Sequence, residues 1–241
     1  MRRQVLLSTD NHKTIKGEKL GYKTYILYLA PFTQNSKGIN LCSHASKGCA
    51  EACLYNSGNG GKFSSVSNAR IKKTEYFLKN RIEFLNQLKT EIEKAIKKNK
   101  DKAIPVFRLN GTSDLPFEKY RIFEDNKNIF ELFPDVQFYD YTKNHIRFSK
   151  VLPDNYHLTF SRSEVNNDKA IALLNKGFNV AMVFDKVFGT YKGFEVINGD
   201  IYDLRFLDKK NVIVGLKYKN ITSKGANNKL AFESGFAIKT S

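Results

Sequence analysis

Three cysteines, Cys42, Cys49 and Cys53, lie within twelve residues and are all the cysteines of the chain. An odd, clustered set of thiols indicates metal or redox chemistry rather than a disulfide framework. Cys49 and Cys53 are four residues apart, so one helical turn would bring both sulfur atoms to the same side. Gly48 allows the backbone to fold back and deliver Cys42 to them. Thiolates suit zinc, copper(I) and iron–sulfur clusters.

Three interpretations of this cysteine loop are open. Zinc would take the three thiolates and His44 as a closed tetrahedral site, although the single residue between Cys42 and His44 is shorter than the usual spacer of about two to four residues. A [4Fe–4S] cluster would leave one iron without a thiolate, and that iron would bind His44, a ligand or a partner. The third interpretation is three buried cysteines without a metal. We favour the cluster, with a predicted ligand set of Cys42, Cys49, Cys53 and His44.

The cysteine loop stands between two elements of different type. Residues 25–30 form a compact apolar run, which predicts a buried strand. After the loop, apolar side chains recur at helical spacing, and this predicts a long helix that is capped by Ser64 or Ser65 and broken near Asn80. A loop that follows a strand of a parallel barrel opens at the carboxyl ends of the strands, where active sites lie.

The remainder of the chain alternates short apolar runs with helical stretches. The runs cover residues 104–109, 136–141, 157–161, 179–184 and 211–216, and the predicted helices cover 116–133 and 166–176, the second ending at Gly177. Repeated strand–helix–strand units predict a parallel sheet. We therefore expect one α/β domain over residues 1–241, a complete or partial parallel β/α barrel of the TIM type with the cysteine loop after its first strand. A doubly wound open sheet is the alternative.

Polar side chains follow several of these predicted strands, and a barrel would bring them to one face as a pocket for a ligand. Each of them has an ordinary alternative as a helix cap or a turn residue. Asp140 is the strongest candidate, because a carboxylate in so apolar a strand costs on the order of several kcal/mol unless it is paired or used. Arg108 and Arg205 would either pair with carboxylates or clamp an anionic substrate. The predicted cofactor-binding residues are Asn110, Thr112, Ser113, Asp114, Asp140, Lys143 and Ser161.

The composition points to a basic globular protein, with a net charge of +16 and 41% hydrophobic residues. The charge favours contact with phosphate-rich partners such as nucleic acids or nucleotides. The abundance of Lys and Asn also agrees with an A/T-rich genome. No apolar run approaches the roughly 20 residues of a membrane helix, and the N-terminal residues lack the apolar region of a signal peptide. These features predict a cytoplasmic protein without membrane contact.

Several further motifs stand outside the cysteine loop, at residues 13–17, 108–114, 138–143, 158–161, 199–200 and 203–208. On these motifs and the cysteine loop, nearly the whole chain resembles a family of uncharacterised proteins from bacteriophages and mobile elements, named after a numbered gene product of a mycobacteriophage. The resemblance implies a phage-type protein that works in the host cytoplasm if it is phage-encoded. It implies no activity and no role for any residue.

The expected architecture is also similar to that of radical S-adenosylmethionine enzymes, which place a three-cysteine [4Fe–4S] loop after the first strand of a partial barrel. This similarity implies an open iron position that chelates the methionine part of S-adenosylmethionine. The spacing here, C-x6-C-x3-C, departs from the usual C-x3-C-x2-C, and Asn110-Gly111-Thr112 stands where a Gly-Gly-Glu is expected. The similarity therefore supports the cluster more than the cofactor.

Two functions of different class follow from these features. The first is an iron–sulfur protein with its cluster at the open face of a barrel, a divergent radical-type enzyme acting on a small-molecule or nucleotide ligand. The second is a basic nucleic-acid-binding protein in which zinc or a cluster braces the cysteine loop. An enzyme should bind a small cofactor at the strand ends, and a binding module should not.

Overall fold

The computed structural model describes residues 4–9, 12–53, 63–220 and 228–240, which fold as a mixed α/β protein. Its strands are β1 (Leu7–Ser8), β2 (Tyr22–Leu27), β3 (Ile104–Arg108), β4 (Phe138–Thr142), β5 (Tyr156–Ser161), β6 (Val180–Phe184), β7 (Thr190–Tyr191), β8 (Phe194–Asn198), β9 (Ile213–Lys217) and β10 (Ala237–Ile238). They form one sheet in the order β1-β2-β3-β4-β5-β6-β9-β8-β7, and β10 pairs with β6. Neighbouring strands are parallel, except for the antiparallel pairs β1–β2 and β7–β8 at the two edges. Among these described strands the sheet stays open.

The described helices are α1 (His12–Glu18), α2 (Lys47–Glu51), α3 (Ser64–Lys79), α4 (Arg81–Asn99), α5 (Ile129–Leu132), α6 (Asn167–Asn175) and α7 (Leu230–Glu233). Short 3-10 turns cover residues 117–119, 124–126, 145–149 and 205–207. Within the ranges that the structure describes, no helix is both long and apolar enough to cross a membrane.

The main core lies between helices α3 and α4 and one face of the sheet. Phe84, Leu88 and Ile92 recur every four residues along α4 and are fully buried. They belong to the same cluster as Phe107 of β3 and Phe138 of β4, whose ring centroids lie 5.6 Å apart. Since side chains alternate along a strand, the residues next to Phe107 and Phe138 point to the opposite face.

The opposite face of the sheet is covered by the segment 200–208, which connects β8 to β9. The Phe206 ring lies 5.4 Å from the Tyr22 ring and 5.6 Å from the Tyr139 ring. Leu204 packs with Val106 in the same cluster. The connecting segment 200–208 therefore packs on the face that β2, β3 and β4 turn away from α3 and α4.

The expected α/β class and mostly parallel sheet are confirmed, as are the five strands after the cysteine loop, each within about two residues. The break at Asn80 between α3 and α4 is also found, and Gly177 ends the α6 region with a positive φ of 87°. The capping prediction was wrong, because α3 begins at Ser64 and its N-cap, Phe63, makes no side-chain cap.

The predicted helix over residues 116–133 was also wrong, since this stretch forms two 3-10 turns before α5. Asp125 has a positive φ of 55°, which interrupts helical geometry, and Asn128 starts α5 with a capping box. The hairpin of β7 and β8 was not predicted. It turns through Lys192 and Gly193, with φ values of 49° and 82°, as tight hairpin turns require.

Candidate metal centre at the carboxyl ends of the strands

The first part of the cysteine loop is tied to the segment that follows β3. The Cys42 thiol donates to the Thr112 carbonyl oxygen at 3.7 Å, and the Asp114 N–H donates to the Leu41 carbonyl oxygen at 2.9 Å. The Thr112 hydroxyl donates to the Leu29 carbonyl oxygen at 2.5 Å. Cys42 thus lies beside the carboxyl end of β3, as expected for a loop that follows a parallel strand.

The second part of the loop contains α2, which carries Cys49 and is tied to the segment after β5. The Ser46 hydroxyl oxygen caps the helix by accepting from the Cys49 N–H at 3.1 Å. The Glu164 carboxylate accepts from the Gly48 N–H and from the Ser46 hydroxyl, both at 2.8 Å. The cysteine loop therefore spans the carboxyl ends of β3 and β5.

Lys143, directly after β4, supplies a positive charge between these two anchors. Its Nζ atom donates to the Ser161 hydroxyl at 2.8 Å and to the carbonyl oxygens of Ser161 and Arg162 at 3.4 and 3.3 Å. It lies 5.4 Å from the centre of the Phe236 ring, and its positive charge opposes the effect of burial, which raises the pKa of Cys49. In the described part of the chain, the oxygen atoms that accept from Lys143 Nζ are neutral, so they do not cancel its positive charge.

Burial and neighbouring charges both act on the thiols. Burial raises the pKa of Cys42 to about 12; the negative charges of Cys53, Asp114 and Cys49 add to the increase, while a backbone hydrogen bond at Phe32 opposes it. Burial also raises the pKa of Cys49, and the positive charge of Lys143 opposes that increase. Cys42 is therefore within electrostatic reach of both Cys49 and Cys53.

The donor chemistry of the loop fits a thiophilic metal, since none of the three cysteines forms a disulfide. Across residues 4–9, 12–53, 63–220 and 228–240, however, no three Cys, His, Asp or Glu side chains are already grouped closely enough to hold an ion. His44 is exposed, and its charge acts on His145. The described thiols thus lie in one loop without forming a ready-made metal site.

Three of the predicted pocket residues form a buried network beneath the loop. Asp140 is fully buried and accepts from the Asn110 N–H at 2.8 Å, the Asn110 side-chain amide at 3.2 Å and the Tyr156 hydroxyl at 3.0 Å. The Asn110 amide oxygen accepts from the Ser113 hydroxyl at 2.9 Å. Burial raises the pKa of Asp140 to about 6, against the lowering effect of Arg108 and these hydrogen bonds. The Asp140 carboxylate is therefore hydrogen-bonded within the fold, although these bonds do not outweigh the effect of its burial.

The other predicted pocket residues lie near the thiols. Thr112 and Asp114 hold the loop at Cys42, and Lys143 and Ser161 stand below Cys49. The residues after the strands therefore form two groups, one beside the cysteine loop and one buried beneath it.

Arg147 completes the buried network and was missed by the sequence analysis. It is almost fully buried and donates to the Glu118 carboxylate at 2.9 and 2.7 Å, to the Tyr156 hydroxyl at 2.9 Å and to Asp114 at 3.4 Å. Glu118 is 29 residues away in sequence, and no short motif links the two. Through Asp114, this ion pair supports the same segment that contacts Cys42.

Arg108 and Arg205 are paired with carboxylates, which was one of their two predicted roles. Arg108 binds Asp203 at 2.9 Å, and Arg205 lies 3.3 Å from Asp208, with both of the latter side chains almost completely buried. The Tyr141 hydroxyl also donates to Asp203, at 3.1 Å. The two bonds to Asp203 fasten the segment 200–208 to the sheet, and the Arg205–Asp208 pair lies within that segment.

Gly111 sits where the backbone passes between the buried network and the loop. A Cβ atom at Gly111 would lie 2.6 Å from both Ile26 Cγ2 and Tyr28 Cδ1. We expect Gly111→Ala to lower the free energy of unfolding by about 1–3 kcal/mol through overpacking, measured by urea denaturation. The control is Gly189→Ala, because an added Cβ there meets nothing within 4 Å. Equal losses in the two variants would contradict this account.

Comparison with known proteins gives one relationship. The family described as Gene product 88 matches residues 5–234. No curated protein and no solved structure matches the chain.

Proposed function

The chain belongs to the Gene product 88 family, and we propose that it is an iron–sulfur protein whose Cys42, Cys49 and Cys53 bind a [4Fe–4S] cluster. The observation that carries this proposal is the position of the thiols. One loop carries all three of them, and Thr112 and Glu164 hold this loop at the carboxyl ends of parallel strands. Cysteines with a merely structural role in the core would not need these anchors.

Lys143 is the second support for an anionic centre. A cluster bound by thiolates is negatively charged, and nearby cations and hydrogen-bond donors stabilise that charge. The positive charge of Lys143 acts on Cys49, and the described oxygen atoms that accept from Lys143 are neutral. An ammonium group in this position suits a thiolate-bound cluster better than three neutral thiols.

We infer further that the open sheet is a partial barrel around the segment 200–208. Lys16 donates to the Asp200 carbonyl oxygen at 2.7 Å. Lys16 belongs to α1, near the β1 edge of the sheet, whereas Asp200 follows β8, near the opposite edge. A Cβ atom on Gly17 would lie 3.5 Å from Leu204. These contacts between the two ends of the sheet support strong curvature. A curved sheet directs its strand ends towards the cysteine loop.

A cluster with three protein thiolates has one iron open to a small ligand. We propose S-adenosylmethionine as the first ligand to test, on the architectural similarity to radical enzymes. When bound, it would supply radical chemistry. Thr112, Asp114, Lys143 and Ser161 are the residues near the loop that would contact such a ligand.

Purification without oxygen, followed by a visible spectrum and analysis of iron, sulfide and zinc, tests the proposal. We expect brown protein with about four irons and four sulfides per chain. Colourless protein with about one zinc per chain would overturn the cluster and leave a structural metal site. Calorimetric titration of the cluster-loaded protein with S-adenosylmethionine then tests the ligand.

The net charge of +16 favours a second candidate, a nucleic-acid-binding protein in which the metal braces the loop. Lys94, Lys97 and Lys98 of α4 are exposed. If six to ten lysines contact phosphates, affinity for DNA or RNA is expected to fall by roughly 10³–10⁵ between about 50 and 200 mM salt. Fluorescence anisotropy measures this effect. Absence of binding at low salt would remove this candidate.

A further inference from the structure

The turn that carries Cys49 depends on a single carboxylate, that of Glu164. Its Oε1 atom accepts from the Gly48 N–H, and its Oε2 atom accepts from the Ser46 hydroxyl, each at 2.8 Å. The Ser46 oxygen in turn accepts from the Cys49 N–H at 3.1 Å. One side chain at the end of β5 therefore fixes two neighbouring N–H groups of the cysteine turn, one directly and one through Ser46.

The packing around Gly48 shows how closely this turn is held. A Cβ atom on Gly48 would lie 2.7 Å from the Ser234 hydroxyl oxygen and 2.8 Å from Glu164 Oε1. The backbone of α2 therefore passes directly between Glu164 and the C-terminal segment. Ala52, just beyond α2, packs in one cluster with Ala231 of α7. The turn is therefore held on two sides, by hydrogen bonds to Glu164 on one and by packing against the C-terminal segment on the other.

The hydrogen bonds of Glu164 distinguish it from an ordinary surface carboxylate. In the described part of the chain, both groups that donate to it belong to the cysteine turn. A carboxylate that forms charge-assisted bonds to a backbone N–H and a hydroxyl holds its partners in a defined geometry. Side chains that orient the ligands of a metal commonly have this role.

We propose that Glu164 is the positioning residue of the cysteine centre, setting through Gly48 and Ser46 the direction in which Cys49 presents its sulfur atom. The proposal rests on the proposed function for the identity of the bound group. The anchoring of the turn is a property of the metal-free chain and is tested separately.

The first experiment is hydrogen–deuterium exchange of the metal-free full chain, read at residues 41–53. Glu164→Ala removes both acceptors, and we expect the amides of Gly48 and Cys49 to exchange about tenfold faster. Glu164→Gln keeps an acceptor for Gly48 and a group that can donate to the Ser46 oxygen, so it should restore most of the protection. Glu233→Ala, which removes an exposed carboxylate from the neighbouring helix α7, is the control and should change nothing.

The second experiment reconstitutes the same variants with iron and sulfide. We expect Glu164→Ala to lose most of the cluster and to alter the electron paramagnetic resonance spectrum of what remains, while Glu164→Gln stays close to wild type. If the wild-type protein binds no cluster, the proposed function is wrong. Faster amide exchange in Glu164→Ala would still support the positioning role in that case. Unchanged exchange in Glu164→Ala would overturn the positioning role whatever the iron content.

A milder variant covers the case in which Glu164→Ala unfolds. Ser46→Ala removes only the middle link between Glu164 and the Cys49 N–H. Loss of protection confined to residues 46–49 in this variant would support the proposal. Protection equal to wild type would contradict it.

Discussion

Replacing Cys42, Cys49 or Cys53 with alanine, one at a time, is expected to abolish the [4Fe–4S] cluster. The chain has three cysteines in all, so each variant leaves two thiolates for a cluster that commonly has a thiolate on every iron. Iron and sulfide analysis after anaerobic reconstitution should fall from about four of each to near zero. Loss of the visible absorption should accompany it.

His44→Ala is the matched control for this series. His44 is exposed and within electrostatic reach of His145. We expect its removal to leave the iron content unchanged, with the fourth iron open to a small ligand. Full iron content in any single cysteine variant would exclude a three-cysteine cluster. Iron loss in His44→Ala would instead make His44 the fourth ligand, as the zinc and cluster interpretations of the sequence both allow.

The strands were predictable because buried strands are rich in apolar residues. A strand of a parallel sheet with both faces covered has a continuous apolar sequence, as residues 104–107 and 180–184 do. The turns were not predictable in the same way. Residues 116–133 have enough apolar side chains for a helix, but the backbone of Asp125 is left-handed. Periodicity carries no information about such a single dihedral angle.

The position of the polar residues at the strand ends was predictable, and their contacts were predictable only in part. Polar residues after parallel strands meet at one edge, which correctly brought Thr112 and Lys143 towards the cysteine loop. Strand order alone does not reveal which side chains turn inwards. Asn110 and Asp140 were therefore expected in a pocket, whereas they form a buried network. Nothing in the sequence links Glu164 to its partner Gly48, 116 residues away.

Asp140 is expected to be the most costly single position in this buried network. Asp140→Ala leaves the Asn110 N–H, the Asn110 amide and the Tyr156 hydroxyl without their shared acceptor. Each unsatisfied buried group costs about 1–3 kcal/mol, so we expect the free energy of unfolding to fall by about 3–5 kcal/mol. Urea denaturation followed by circular dichroism measures the loss. Asp135→Ala, at an exposed carboxylate, should leave stability nearly unchanged.

The pH dependence of Asp140→Asn separates the charge of Asp140 from its hydrogen bonds. The pKa of Asp140 is raised from 3.8 to about 6 by burial, so between these values the folded state keeps a proton that the unfolded state releases. Wild-type stability should therefore fall as pH rises through this window, by on the order of 3 kcal/mol. Because Asn cannot ionise, the stability of the variant should not fall over this pH range. Its amide also lies against the Asn110 amide, which should lower the stability by the same amount at every pH. Parallel stability curves for the two proteins between pH 4 and about 7 would show that Asp140 is already ionised without cost, and that its hydrogen bonds alone compensate for its burial.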